Sequence, residues 1–183
     1  MTFWAKIKSK MFKSFIPFAH ATSIYEIEID FYKRHGVKTL FIDLDNTLDS
    51  YKASTPKQNA LDYISALREN GITPIVVSNN KGRRVSSYAN GLNVEFVNSA
   101  RKPFPHKLNK VIESHGLSKD EVMLVGDQMM TDVLAAHFAK IRVVLTEKIV
   151  KEDQWTTHIN RLMDRPIRRY HRKKGNLIDW RNK

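Results

Sequence analysis

Short apolar runs recur along the chain, each closed by a polar cluster and followed by a stretch with helical spacing. The runs are residues 38–42, 73–77, 94–97, 122–125 and 141–145. Each is partly β-branched and long enough for one buried strand. Between them, apolar residues recur with the helical period. Leu61, Ile64 and Leu67 follow Pro56, with Thr55 as the expected cap and Asn70-Gly71 as the stop. A short basic helix spans 81–91, and Leu108, Val111 and Ile112 give the inward stripe of 105–116. Ser118 and Glu121 are spaced as a capping box just before the fourth run. Alternating strands and helices predict an α/β domain, a three-layer sandwich around a central parallel sheet of five strands.

The flanks read differently. Residues 3–16 predict an amphipathic helix with Phe3, Trp4, Ile7, Met11 and Phe15 on one face and Lys6, Lys10 and Lys13 on another. Lys8 interrupts the apolar side and Pro17 ends the helix. Such a helix suits a membrane interface, and equally the domain's own core, since aromatics are ordinary core residues. Residues 22–36 predict a second helix, capped by Thr22 or Ser23, with Ile24, Ile27 and Phe31 buried and Gly36 at its end. Residues 152–163 predict a last helix that breaks at Pro166. The expected organisation is a basic N-terminal helix (1–20), a core (21–165) and a basic tail (166–183), whose aromatics and cations suit nucleic acid or a membrane surface and equally a solvated, frayed end.

Composition sharpens this picture in two respects. The net charge of +12 predicts attraction to polyanions, whether phosphorylated substrates, anionic lipid or nucleic acid. It is concentrated at the ends: the first 25 residues contain no acid, and the chain from Lys148 carries eleven Lys/Arg against four Asp/Glu. The absence of cysteine excludes a disulfide framework and a thiolate metal site. No apolar run approaches the ~20 residues of a membrane-spanning helix, and no apolar h-region marks a secretory signal. The expected location is the cytoplasm, including the inner face of a membrane.

The chemistry lies at the ends of the apolar runs. The first run delivers two carboxylates one residue apart, Asp43 and Asp45, followed by Asn46 and Thr47. Residues i and i+2 of an extended chain point the same way, so the pair suits nucleophilic and acid/base work on one substrate, or a shared divalent cation. The second run ends in Ser78-Asn79-Asn80, a hydroxyl and amides where a phosphate would sit before a helix. Arg101-Lys102-Pro103 follows the third run. The fourth ends in Gly126-Asp127, with Asp132 five residues later. An acid at a strand tip is a natural Mg²⁺ ligand, whereas Asp132 is equally a helix N-terminal acid.

These segments, FIDLDNTL, VVSNN, ARKPFP and VGDQMMTDV, resemble in order the four motifs of the haloacid dehalogenase (HAD) superfamily. The chain looks closest to its capless class III phosphatases of the YqeG type, which are similar to phosphatidylglycerophosphate phosphatases. The segment Leu134-Ala135-Ala136-His137-Phe138 departs from the pattern expected there. The resemblance implies a Mg²⁺-dependent phosphomonoesterase. Asp43 would be the nucleophile and Asp45 the general acid/base. Ser78, the Asn79 N–H and Lys102 would hold the phosphate, with Arg101 a weaker competitor for the lysine's role. Thr47 would orient the first loop, and Asp132 would hold Lys102 or a metal-bound water. The metal would be held by Asp43, Asp127 and the Asp45 carbonyl. With little more than one helix in each of 49–72 and 80–101, no cap domain is expected, which suits a large substrate. Phosphatidylglycerophosphate is the substrate implied by the resemblance. The alternatives are soluble, protein or nucleic-acid phosphomonoesters, and a non-catalytic module that binds phosphate or RNA.

Overall fold

The computed structural model describes residues 12–150 and 158–183, with only the backbone of 158–161. Six strands form one all-parallel sheet: β1 (Ala19–Ala21), β2 (Thr39–Ile42), β3 (Thr73–Val77), β4 (Glu95–Val97), β5 (Val122–Gly126) and β6 (Arg142–Thr146). Their order is β1-β6-β5-β2-β3-β4. Parallel strands covered on both faces read as unbroken apolar runs, which is why all four positions of β2 are buried. Side chains nonetheless alternate between the faces. Leu40, Ile42, Val76 and Val125 belong to one core, while Phe41, Ile75, Val77 and Leu124 belong to the other.

Helices cover each face. On the first lie α1 (Ile29–Arg34), α2 (Gln58–Glu69) and α3 (Arg83–Gly91), which contribute Phe31, Ile64, Leu67, Val85 and Tyr88. On the second lie α4 (His106–Ser114) and α5 (Leu134–Ala139), with Leu108, Ile112 and three alanines. The three-layer α/β sandwich therefore stands, with six strands in place of the expected five. The additional strand, β1, is an Ala-His-Ala segment too short to show a period. It is defined by its pairing with β6, Ala19 opposite Val144.

Several local expectations shift. The helix expected over 22–36 is a 3-10 turn (Ile24–Glu26) capped by Ser23 and then α1, although Ile24, Ile27 and Phe31 are all buried as read. The buried stripe of α2 is Ala60, Tyr63, Ile64 and Leu67, while Leu61 is exposed. Its N-cap is Lys57 rather than Thr55. The capping box of Ser118 and Glu121 forms as expected.

The final helix, α6 (His158–Lys173), contains Pro166 and runs across the position where the sequence placed a break and the start of a tail. Proline removes one hydrogen bond and strains the preceding turn. Here the helix is fixed on both sides of it by the contacts of Asp164 and Arg168 described below. Beyond it, Trp180 is buried against Phe31, their ring centroids 5.8 Å apart. Of the helix expected over 3–16, residues 3–11 lie outside the described residues. Phe15, the last of its apolar face, is buried in the second core. Residues 152–157, the first half of the helix expected over 152–163, also lie outside. Among the described residues, no helix is long and apolar enough to cross a membrane.

Candidate active site

The strand order fixes where a site can form. From β2 the chain moves outward through β3 and β4, then returns to place β5 and β6 on the other side of β2. The crevice at the carboxyl ends of β2 and β5, where the winding reverses, is where ligands bind in such sheets. Asp43 follows β2 and Asp127 follows β5. Register holds them side by side: Ile42 lies opposite Val125, and the Asp43 N–H donates to the Val125 carbonyl at 2.9 Å. Ser78 follows β3, the other neighbour of β2.

Lys102 reaches into this crevice from the loop after β4. Its ammonium lies 2.5 Å from Asp43 Oδ1 and 2.7 Å from Asp132 Oδ1, and donates to the Val77 carbonyl at 3.0 Å. The Asn79 side chain holds its backbone. The Lys102 N–H donates to Asn79 Oδ1 at 2.7 Å, and Asn79 Nδ2 donates to the Lys102 carbonyl at 2.9 Å. Asn79 was expected to act through its backbone N–H, and the side-chain clamp was not read from the sequence. Arg101, the competing cation, is exposed and lies on another pocket.

The carboxylates are deeply placed. Asp127 and Asp132 have no exposed surface, and Asp43 is 6% exposed. One oxygen from each can be chosen so that all three lie within 4.8 Å of one another. Against Lys102, three carboxylates leave an excess of two negative charges in a buried cluster, which is costly unless a cation offsets it. Burial pushes the Asp43 carboxyl well above the usual carboxylate range. Lys102 pulls it down, and Asp132, Asp127 and Asp45 push it up again. Burial opposes the charge on Lys102, yet Asp132 and Asp43 outweigh it and hold the ammonium firmly protonated. An all-oxygen, doubly negative cluster fits Mg²⁺, a hard cation that takes a few carboxylates plus water and phosphate oxygens.

Asp45 stands outside this cluster and is partly exposed. Asn80 Nδ2 donates to its Oδ2 at 2.8 Å, Ser78 Oγ lies 3.4 Å from the same oxygen, and Arg84 donates to Oδ1. Arg84 also donates to the Ala53 carbonyl at 3.0 Å, bridging α3 to the loop after β2. Thr47 Oγ1 lies 3.4 Å from Asp43 Oδ2. Thus Asp43, Thr47, Lys102, Asp127 and Asp132 form one group, and Ser78 joins Asp45 beside it.

Besides Asn79, four side chains at the site hold roles that the sequence does not reveal. Asn80 reads only as one of the amides of Ser78-Asn79-Asn80, and Arg84 only as one cation of the short basic helix. Asp164 and Arg168 lie on α6. Asp164 accepts from the Met129 N–H, with the Met130 N–H at 3.4 Å, and Arg168 donates to the Asp127 carbonyl at 2.5 Å and to the Thr146 carbonyl at 3.1 Å. No local pattern signals contacts made across 22 to 41 residues. His137, on α5, is not part of the acid cluster.

Comparison with known proteins agrees with this geometry. The sequence profile of the haloacid dehalogenase-like hydrolases matches residues 2–146. The chain belongs to this family. It is 30% identical over 168 residues to the probable phosphatase YqeG of Bacillus subtilis, an alignment covering 92% of this chain and 97% of that protein. The fold is similar to that of a hypothetical protein from Xanthomonas campestris, with a TM-score of 0.51 and 20% identity over 74% of this chain and 80% of that one. It is also similar to the cobalt-bound deoxy-D-mannose-octulosonate 8-phosphate phosphatase of Haemophilus influenzae, with a TM-score of 0.50 and 13% identity over 75% and 90% of the respective chains. In this HAD chain no cap domain interrupts the described residues: between β2 and β3 there is a loop and α2, and between β3 and β4 only α3.

Proposed function

We propose that the protein is a Mg²⁺-dependent phosphomonoesterase acting through an aspartyl-phosphate. The observation that carries this reading is the pairing of buried Asp43 with Lys102, beside an Asp45 carboxylate held separately by Asn80 and Arg84. Two acids in such different surroundings suit two different tasks. Asp43, held by Lys102 and Thr47, attacks phosphorus, and the bond to the leaving oxygen breaks as the new one forms. Asp45, nearer solvent, gives its proton to that oxygen and later takes one from the attacking water. Ser78 and Lys102 bind the phosphoryl oxygens, whose positioning and charge stabilisation account for most of catalysis in phosphoryl transfer. Mg²⁺, held by Asp43, Asp127 and the Asp45 carbonyl, would neutralise charge on the phosphoryl group, and Asp132 keeps Lys102 in place.

The reading extends to phosphatidylglycerophosphate as substrate. It is supported by the resemblance of the four motifs, the net charge of +12 and the absence of a cap among the described residues. A peripheral contact of residues 3–16 with the inner face of a membrane belongs to the same proposal. The rival within this mechanism is a phosphatase of soluble monoesters.

The test is phosphate release from phosphatidylglycerophosphate in mixed micelles and from a panel of soluble monoesters, with Mg²⁺ and with EDTA. Mg²⁺-dependent release favouring the lipid is expected. Release from soluble esters alone would keep the chemistry and remove the lipid. Asp43→Asn should fold and be inactive, and turnover by that variant would overturn the nucleophile assignment.

A further inference from the structure

A cavity of about 620 Å³ opens beside the site, lined by Lys81, Arg101, Phe104, His106 and Lys107 with Ser99 and Ala100. Its size falls within the range of small-molecule pockets. Both walls are continuous with the catalytic loops. Lys81 directly follows Asn80, which donates to Asp45, and Arg101 directly precedes Lys102, which holds Asp43. The cavity and the site thus share two loops, those after β3 and after β4.

Most of the lining surface is carbon, and its charged residues are all of one sign. Three permanent cations and a histidine surround it, and no acid lines it among the described residues. Lys107 is tethered by donating to the Asn98 carbonyl at 2.8 Å, so its charge stays at the rim. Arg101 takes a left-handed backbone, φ 58°, uncommon for a residue with a side chain. In that conformation Lys102 points into the site while its neighbour remains on the cavity. Phe104 is 68% exposed, an apolar plate among the cations. Scattered surface cations are ordinary, but cations clustered round an exposed aromatic in a concavity built from the same loops as a phosphate site suit a particular ligand. That ligand carries a second anion, with carbon to lay against the ring.

We propose that this cavity is a second anion subsite for the distal part of the substrate, so that the preferred phosphomonoesters carry a further negatively charged group on an organic stem. The inference rests on the phosphomonoesterase reading. A lipid phosphodiester and a soluble organic acid share the required chemistry, and the experiment separates them.

The full chain with Mg²⁺ is assayed on two pairs of esters differing only by a carboxylate, glycerol 3-phosphate against 3-phosphoglycerate and glucitol 6-phosphate against 6-phosphogluconate. Phosphatidylglycerophosphate micelles form a third arm. The wild type is expected to favour the acid of at least one pair by about tenfold in kcat/KM, as a charge-assisted contact supplies. Arg101→Ala and Lys107→Ala should abolish that preference through KM, leave kcat/KM for the neutral partner within about twofold, and be rescued in part by Arg101→Lys. Loss of lipid turnover in these variants would assign the subsite to a lipid phosphodiester, and loss confined to the soluble acids would assign it to an organic acid. Equal turnover of acid and neutral esters by the wild type, or equal loss on both in the variants, would overturn the subsite. Calorimetric binding of the same pairs to Asp43→Asn, with and without Arg101→Ala, reads the subsite independently of turnover. A preference for the acid there that vanishes with Arg101 would uphold it even if the proposed hydrolysis failed.

Discussion

Gly126, the last residue of β5, should not tolerate a methyl group. Its φ is not in the left-handed region, so the argument concerns space alone. A Cβ there would lie 2.4 Å from Asp132 Cγ and 2.6 Å from both Asp132 Cβ and Oδ2. Carbon atoms rest at ~3.5–4.0 Å, so the Asp132 side chain would have to retreat by about 1 Å. It is fully buried, with Oδ1 2.7 Å from Lys102 Nζ and Oδ2 accepting from the Gln128 N–H at 3.0 Å. Overpacking of this kind costs about 1–3 kcal/mol, which for a chain of this size lowers Tm by roughly 2–12 °C. Activity should fall more steeply. Displacing Asp132 releases one of the two carboxylates that aim Lys102, and a misplacement of ~1 Å at a reacting centre costs about a hundredfold. The assay pairs thermal unfolding of Gly126→Ala with turnover of p-nitrophenyl phosphate in Mg²⁺. In an Asp132→Ala background the clashes with Cγ and Oδ2 are gone, so the second substitution should cost less than it does alone. A Gly126→Ala protein with wild-type Tm and turnover would refute the reasoning.

Lys102→Met should lower turnover by about a hundredfold to a thousandfold. It should also destabilise the metal-free protein by ~3–5 kcal/mol, because a buried ion pair loses one partner; thermal melts should show Mg²⁺ recovering part of that loss. Arg168→Ala should weaken Mg²⁺ binding about tenfold to a hundredfold by freeing the Asp127 loop, as read by calorimetry. Unchanged affinity would deny α6 a part in the site. His20, followed by Arg168 and Arg172, holds the half-buried Glu147 carboxyl down to about 2 although burial opposes the shift. A folded-state pKa below the unfolded value stabilises the fold above that unfolded value, and the benefit disappears as the pH falls toward about 2. Glu147→Gln should therefore flatten stability against pH between ~4.5 and ~2, measured by urea unfolding.

What the sequence could disclose was local. The strand Thr73–Val77 forms as read because a fully buried parallel strand is a continuous apolar run. Asp43 and Asp127 were legible because each closes such a run, and charge at the end of an apolar strand has few structural excuses. Leu61 misled because position in the α2 stripe depends on where the helix faces the sheet, and Tyr63 takes the buried place beside Ile64. β1 was hidden because three residues show no period, and its existence depends on an edge offered by β6. Pro166 was read as a break on local propensity, which tertiary contacts of Asp164 and Arg168 override. Arg84 and Asn80 were visible as residues but not as partners of Asp45, since that relation arises only when β2 and β3 lie side by side.

The doubled amide contact between Asn79 and Lys102 has a consequence for how the chain can change. One side chain satisfies both the N–H and the carbonyl of a residue 23 positions away, as a neighbouring strand would. The lysine's placement is thereby set by a cross-link between two loop ends, not by the length of chain that joins them. Extra residues at Asn93, the exposed position between the buried Leu92 and Val94, add only a slowly growing entropy of closure and leave the lysine where it is. The stretch between the two loops is thus open to modules that reshape substrate access, provided position 79 keeps an amide. An aspartate there would set a carboxylate oxygen against the Lys102 carbonyl and undo that freedom.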